Sequence, residues 1–366
     1  MFKRIGVAAL VSAALVSGQV MAVTGGGSTL PAALYTGAAN SILPANFSYA
    51  GSGSGIGKTA FLTNNPAGFG TTGTVHFAGS ESILSASELS TYNVNFGAAY
   101  GPLIQLPSVS TSVVIAYKKS GQTALNLTSV QLCDALSGSK TTWGALLGSS
   151  DPTPIRVVYR DISSGTSELL TRHLNSICPT QFATNATFTN ARLPVGSSIP
   201  SNWVAVRNTL DVVPAVNAVD GSIGYSGPDG IAVTNNAVVA RINGVLPTLA
   251  NVSLAVSSAA LPATPADPAQ WVPVVANPAS GYAISGYSNL LFGQCYRDAA
   301  VANDVRAFLA KHYSVPGNAV ATVAHGLLPI PTRWKNAVTA NFITNTTGNN
   351  LDINNPSVCN GIGRPL

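Results

Sequence analysis

Charge is what this chain has least of. Only 8% of its 366 residues are Asp, Glu, Lys or Arg, and no block of Lys and Arg occurs. A basic face that tracks nucleic acid or an anionic membrane surface is therefore excluded. The formal balance of +5 favours anions only weakly. Histidine is scarce as well. His76, His173, His312 and His325 lie far apart, and no Asp cluster stands beside them. A zinc or hydrolytic metal centre thus has no donor set, and neither a metal nor another cofactor is expected. No G-x-S-x-G turn occurs, which removes the nucleophile elbow. The four cysteines, Cys133, Cys178, Cys295 and Cys359, are not spaced like a zinc site.

What is present begins with an export signal. Lys3 and Arg4 form its charged start, residues 5–16 its apolar stretch, and Val20-Met21-Ala22 its small-residue cleavage site. The apolar stretch is too short to cross a bilayer, and no later segment is long enough. Removal of residues 1–22 is expected. An exported chain with an even cysteine count points to two disulfides, for which three pairings are open. Cys133–Cys178 with Cys295–Cys359 is preferred, because each bond closes a loop within one half of the chain. Each would add about 4 kcal/mol on the chain-entropy model. The length predicts two domains or one large one.

Strands alternating with helices predict an α/β architecture. Pro31 beside Leu30 marks a helix start. Residues 47–50 read as a short strand, followed by a Gly/Ser loop and a helix from Lys58. Ser85 and Glu88 have capping-box spacing. Residues 103–118 read as extended strands that cross between domains. Residues 129–136 predict a helix and 155–159 a strand. From Asn208 to Pro273 short strands alternate with Gly/Pro turns, and a Pro-rich loop begins at Leu261. Residues 282–287 predict a strand returning to the first domain, and 301–313 and 333–342 predict helices. Trp143, Trp203, Trp271 and Trp334 read as packing aromatics. His173 reads as a satisfied surface histidine on a helix flank.

The most telling segment is Tyr159-Arg160-Asp161-Ile162-Ser163-Ser164-Gly165-Thr166, with a helical pattern directly after it. A Gly and small hydroxyl residues at a helix start present N–H groups, hydroxyls and the positive dipole end to an anion. Arg160 adds a planar fork that matches two oxygens of a tetrahedral oxyanion. A capped helix beside a solvated Arg would look the same. Two further segments shift the balance. The loop from Gly51 to Thr59 resembles a nucleotide P-loop, but Ser52 stands where its first Gly is required. Its strand, Gly/Ser turn and helix start, with Ser54 among them, still suit a bare oxyanion. Thr29-Leu30 lies at a third such start. Each dipole end contributes only ~0.3–1 kcal/mol. Together with the Arg fork they approach the roughly 8 kcal/mol that micromolar binding needs. Glu81, in Gly79-Ser80-Glu81-Ser82, adds a carboxylate. The ordinary fate of a loop Glu is exposure. A buried one would accept the proton that hydrogen phosphate carries and repel sulfate, which carries none.

Five stretches together resemble the DING proteins, a branch of the periplasmic phosphate-binding proteins of ABC transporters. They are Gly25-Gly26-Gly27-Ser28-Thr29-Leu30-Pro31, Val75-His76-Phe77-Ala78-Gly79-Ser80-Glu81-Ser82, Tyr159-Arg160 with Ser163-Ser164-Gly165-Thr166-Ser167-Glu168, Phe292-Gly293-Gln294-Cys295-Tyr296 and Val358-Cys359-Asn360-Gly361-Ile362-Gly363-Arg364-Pro365. The likeness spans essentially the whole mature chain. It implies a two-domain flytrap with phosphate clamped in the cleft between domains and the same two disulfides. Domain 1 would be 23–107 plus 281–366, and domain 2 would be 108–280. By motif position the ligand set would be Thr29, Leu30, Ser54, Glu81, Arg160, Ser164, Gly165 and Thr166. The implied setting is periplasmic or secreted, as a monomer, with inorganic phosphate as ligand and an ABC-transporter complex or a secretion system as partner. Two positions depart from the family. The D-I-N-G start is Ala22-Val23-Thr24-Gly25, and the usual Asp acceptor is Glu81, longer by one methylene. Secreted low-molecular-weight alkaline phosphatases of pseudomonads belong to the same family. Hydrolysis of phosphate monoesters in the same pocket is therefore the alternative, driven by Arg160 and N–H groups around the transferring phosphoryl group.

Overall fold

The computed structural model describes residues 23–36, 40–192 and 198–365. The expected export signal, residues 1–22, lies outside them. The strands among the described residues run β1 (Val23–Gly27), β2 (Phe47–Gly51), β3 (Phe77–Ser80), β4 (Leu103–Ser112), β5 (Val114–Lys118), β6 (Asn126–Leu127), β7 (Arg156–Arg160), β8 (Val204–Val206), β9 (Ser222–Ser226), β10 (Arg241–Ile242), β11 (Ser285–Gly293) and β12 (Leu328–Pro329). They form a six-stranded sheet in the order β12-β4-β11-β3-β1-β2, a four-stranded sheet in the order β5-β9-β7-β8, and the pair β10-β6. Helices pack against the sheets, as the alternating pattern predicts for an α/β fold.

Strands β1, β2 and β3 run parallel, so their C-terminal ends meet along one edge of the large sheet. Ligand crevices form at such edges in α/β sheets. The chain passes from the large sheet to the small one between Ser112 and Val114, and returns near Ile284. The two crossings lie side by side, with Val113 N–H donating to Ile284 C=O at 2.9 Å. In β4, Pro107 cannot donate to the ladder. The pairing with β11 slips there, so that Ser288 faces Val109 while Asn289 faces Pro107. A bulge of this kind re-aims the side chains beside it.

Several expected elements sit where the pattern placed them. Ser85 caps Ala86–Tyr92 with the full box, and helices cover Ser129–Ser137 and Ala299–Tyr313. Others differ. The helix expected from Lys58 begins at Ser54, because Gly53, at φ 103°, turns the chain four residues sooner. The stretch expected to hold only short strands and turns contains helices Val212–Asn217 and Leu249–Val256. There tertiary packing overrides the β propensity of the Val runs, since the helices bury Val212, Val216, Val252 and Val256. His173 is buried rather than on the surface, between the Ser129 hydroxyl and the Ala276 carbonyl. Trp143, Trp271 and Trp334 lie in the core. Both disulfides, Cys133–Cys178 and Cys295–Cys359, are formed. Among the described residues no helix is long and apolar enough to cross a membrane, and no group of three His, Cys, Asp or Glu is placed to hold a metal.

Candidate functional site

The large sheet delivers three of the expected residues to one edge. Thr29 follows β1, Ser54 opens the helix after β2, and Glu81 follows β3 directly. Glycine makes the turns possible. Gly27 at φ 130° and Gly53 at φ 103° take backbone angles that side chains rarely adopt. The small sheet supplies the facing half. Arg160 ends β7, and Ser164 precedes the helix Gly165–Ile177.

The Arg160 guanidinium is fully buried and held from several sides. Its Nε donates to the Arg207 carbonyl at 2.9 Å. Its Nη1 reaches Thr209 Oγ1 at 2.6 Å, Ser164 Oγ at 3.1 Å and Thr29 Oγ1 at 3.2 Å. Nη2 is buried without a protein partner. Burial lowers the arginine's pKa, while the negative charges of Asp161, Glu81 and Asp211 act against that fall. A guanidinium keeps its proton under such conditions, so the site holds a desolvated cation with both N–H groups of Nη2 left free.

Glu81 is buried on the other side of the cluster. Ser28 Oγ donates to both carboxylate oxygens at 2.5 and 2.6 Å. Ser54 Oγ donates to Oε2 at 2.8 Å, and Ser288 Oγ to Oε1 at 2.7 Å. Burial raises the carboxyl's pKa, and the three hydroxyls pull it back down. The carboxylate lies against the start of the Gly165 helix. A Cβ on Gly165 would stand 2.1 Å from Glu81 Oε2 and 2.6 Å from Ser54 Oγ. Only glycine permits that approach.

The structure therefore gathers Thr29, Ser54, Glu81, Arg160, Ser164 and Gly165 from both sheets into one cluster, buried except at the half-buried Thr29. Leu30 and Thr166 are buried beside it, and the Leu30 N–H donates to Ser28 Oγ at 3.2 Å. The Ser54 hydroxyl, expected from the sequence reading to meet an anion, also lies within reach of the Glu81 carboxylate, 2.8 Å from Oε2. Three members escaped that reading. Ser28 adjoins Thr29 in the glycine-rich motif and was within reach. Thr209, 2.7 Å from Thr29 Oγ1, sits in a loop with no motif. Ser288 lies inside a strand, where only the β3–β11 register reveals it: Ser80 pairs with Asn289, which leaves Ser288 across from position 81.

This architecture has relatives. Residues 12–310 match the PBP superfamily domain. The chain is 62% identical to alkaline phosphatase L of Pseudomonas aeruginosa PAO1, with all of both chains covered. A phosphate-binding protein from Stenotrophomonas maltophilia superposes with a TM-score of 0.86 at 46% identity, over 94% of this chain and 100% of that one. A high-affinity periplasmic phosphate-binding protein, PfluDING, solved with phosphate, gives 0.87 at 42% identity, over 94% and 100%. The chain belongs to the PBP superfamily, in its DING branch. In this DING protein the Glu81 carboxylate lies among three serine hydroxyls, those of Ser28, Ser54 and Ser288.

Proposed function

We propose that this chain binds inorganic phosphate, as hydrogen phosphate and with high affinity, for uptake or scavenging in the periplasm or outside the cell. The observation that carries the reading is the shared burial of Arg160, with an unsatisfied Nη2, and the Glu81 carboxyl at the start of the Gly165 helix. The cation and the helix start meet the anion's charge. The carboxylate accepts its proton, which sulfate lacks. The ligand groups are Thr29, Leu30, Ser54, Glu81, Arg160, Ser164, Gly165 and Thr166. The clamp closes between domain 1 (23–107 plus 281–366) and domain 2 (108–280). Its hinge is the adjacent crossings at Val113 and Ile284. Delivery to an ABC-transporter complex, or export through a secretion system, as a monomer, completes the reading.

The name of the 62% identical relative favours a second reading, phosphate-monoester hydrolysis. None of the histidine hydrogen bonds described reaches a site serine: His312 meets Ser108, His173 meets Ser129 and His325 meets Asp229. A histidine-activated serine is thus not assembled among the described residues, and binding takes precedence. Isothermal titration decides the first reading. Phosphate is expected to bind at micromolar Kd or tighter and sulfate at least 100-fold more weakly. Absent heat with phosphate, or equal affinities, would reject it. Turnover of a chromogenic phosphate ester by pure protein, lost in Arg160→Ala, would put hydrolysis first.

A further inference from the structure

Ser288 lies outside every motif that brought the site to light, yet it is completely buried and donates to Glu81 Oε1 at 2.7 Å. It sits across the β3–β11 ladder from position 81, one step beyond the Ser80–Asn289 pair. On its other side the ladder to β4 slips between Ser288 and Asn289. Cross-strand neighbours of this kind are within direct side-chain reach. The remaining hydroxyls divide unequally. Ser28 bridges both oxygens, and Ser54 takes Oε2. Ser288 is therefore the hydroxyl committed to Oε1 alone, and with Ser28 it fixes the plane of the carboxylate that carries Oε2 beside Gly165.

We infer that Ser288 is a positioning residue for anion selectivity: it holds the Glu81 carboxylate ionised and oriented so that Oε2 accepts the proton of the bound anion. The inference rests on the phosphate reading. A hydroxyl bonded to the charged form of an acid favours that form. Loss of the Ser288 hydroxyl leaves desolvation less opposed, so Glu81 stays protonated to higher pH. A protonated Glu81 donates instead of accepting, and the ground for rejecting sulfate disappears. The other titratable groups around Glu81 do not mask this. Tyr35 and Tyr49 are phenols that burial holds un-ionised. Arg160 stays charged. Lys58 and Glu88 pair with each other, as do Glu168 and Arg172.

The test is the phosphate-to-sulfate affinity ratio, measured by titration calorimetry from pH 5 to 9 on the mature protein. Five forms are compared: wild type, Ser288→Ala, Ser288→Cys, Glu81→Gln, and Glu81→Gln combined with Ser288→Ala. In Ser288→Ala the ratio at neutral pH is expected to fall about tenfold, the worth of one hydrogen bond to a charged group. The pH at which sulfate begins to compete should rise. Ser288→Cys, with its weaker donor, should fall between. In the Glu81→Gln background the serine should no longer alter the pH profile. A ratio that drops equally at every pH would mark Ser288 as merely structural and overturn the inference. An unchanged ratio would do so too. Failure of the wild type to bind phosphate would instead reject the function on which the inference stands.

Discussion

Thr209 ties the two halves of the site together through a single hydroxyl. Its Oγ1 lies 2.7 Å from Thr29 Oγ1 and 2.6 Å from Arg160 Nη1, one partner from each sheet's side of the cluster. Without it, Nη1 keeps only its longer contacts to Thr29 and Ser164. Thr209→Val keeps the shape and removes the hydroxyl. A hydrogen bond to a charged group contributes about 1.5–3 kcal/mol. Phosphate Kd should therefore rise roughly tenfold or more by calorimetry, with the circular dichroism spectrum unchanged; an unaltered Kd would remove Thr209 from the site. Arg160 and Glu81 were legible because their residue types are rare in this chain and each stands beside a helix-start motif. Thr209 and Ser288 were not, because serine and threonine are abundant here and nothing local separates a site hydroxyl from any other.

At the scale of elements, the helix starts carry the site, and glycine lets them approach. The helix Ser54–Thr63 meets the loop before the Gly165 helix at Gly55, where a Cβ would stand 2.2 Å from Ser163 Oγ and 2.5 Å from Ser163 Cβ. Gly55→Ala should act in two opposite directions. Alanine improves helix propensity by up to about 1 kcal/mol. The same methyl wedges the two sides of the cluster apart, and overpacking costs about 1–3 kcal/mol. Thermal stability is expected to hold or fall slightly, since the packing cost equals or exceeds the helix gain, while phosphate Kd rises about tenfold. Calorimetry paired with a melting curve checks both, and unchanged affinity would show that Gly55 and Ser163 need not touch for binding. The Gly/Ser loop was readable as a helix start. Its true first residue was not, since Gly53's backbone angle is set by the turn against its neighbours.

At the scale of the whole molecule, buried histidines set the response to acid, His76 and His312 most strongly and His173 in the same direction. Burial holds His76 and His312 neutral, with pKa values lowered from 6.5 to about 4. The unfolded chain takes up these protons at about pH 6.5 and the folded chain only near 4. Stability is then full above neutrality and lost as pH falls through that window, by up to about 3 kcal/mol per histidine. Glu81 works in the opposite sense: its raised pKa favours folding at low pH, an advantage lost as pH climbs through the folded value. Melting temperature should fall between pH 6.5 and 4, and His312→Gln should flatten part of that slope; equal slopes in the two proteins would show that His312 is not responsible.

The sequence alone determined the α/β class, the export signal as an expectation, the preferred disulfide pairs and the segments that build the site, because periodicity, rarity and helix-start chemistry are local properties. Only the tertiary structure decided that these segments surround one point, that Ser28, Thr209 and Ser288 join them, and at which residues, Val113 and Ile284, the expected crossings fall. Those outcomes follow from strand register and from the parallel alignment of β1, β2 and β3, in which residues tens to hundreds of positions apart become neighbours through hydrogen bonds that no stretch of sequence encodes by itself.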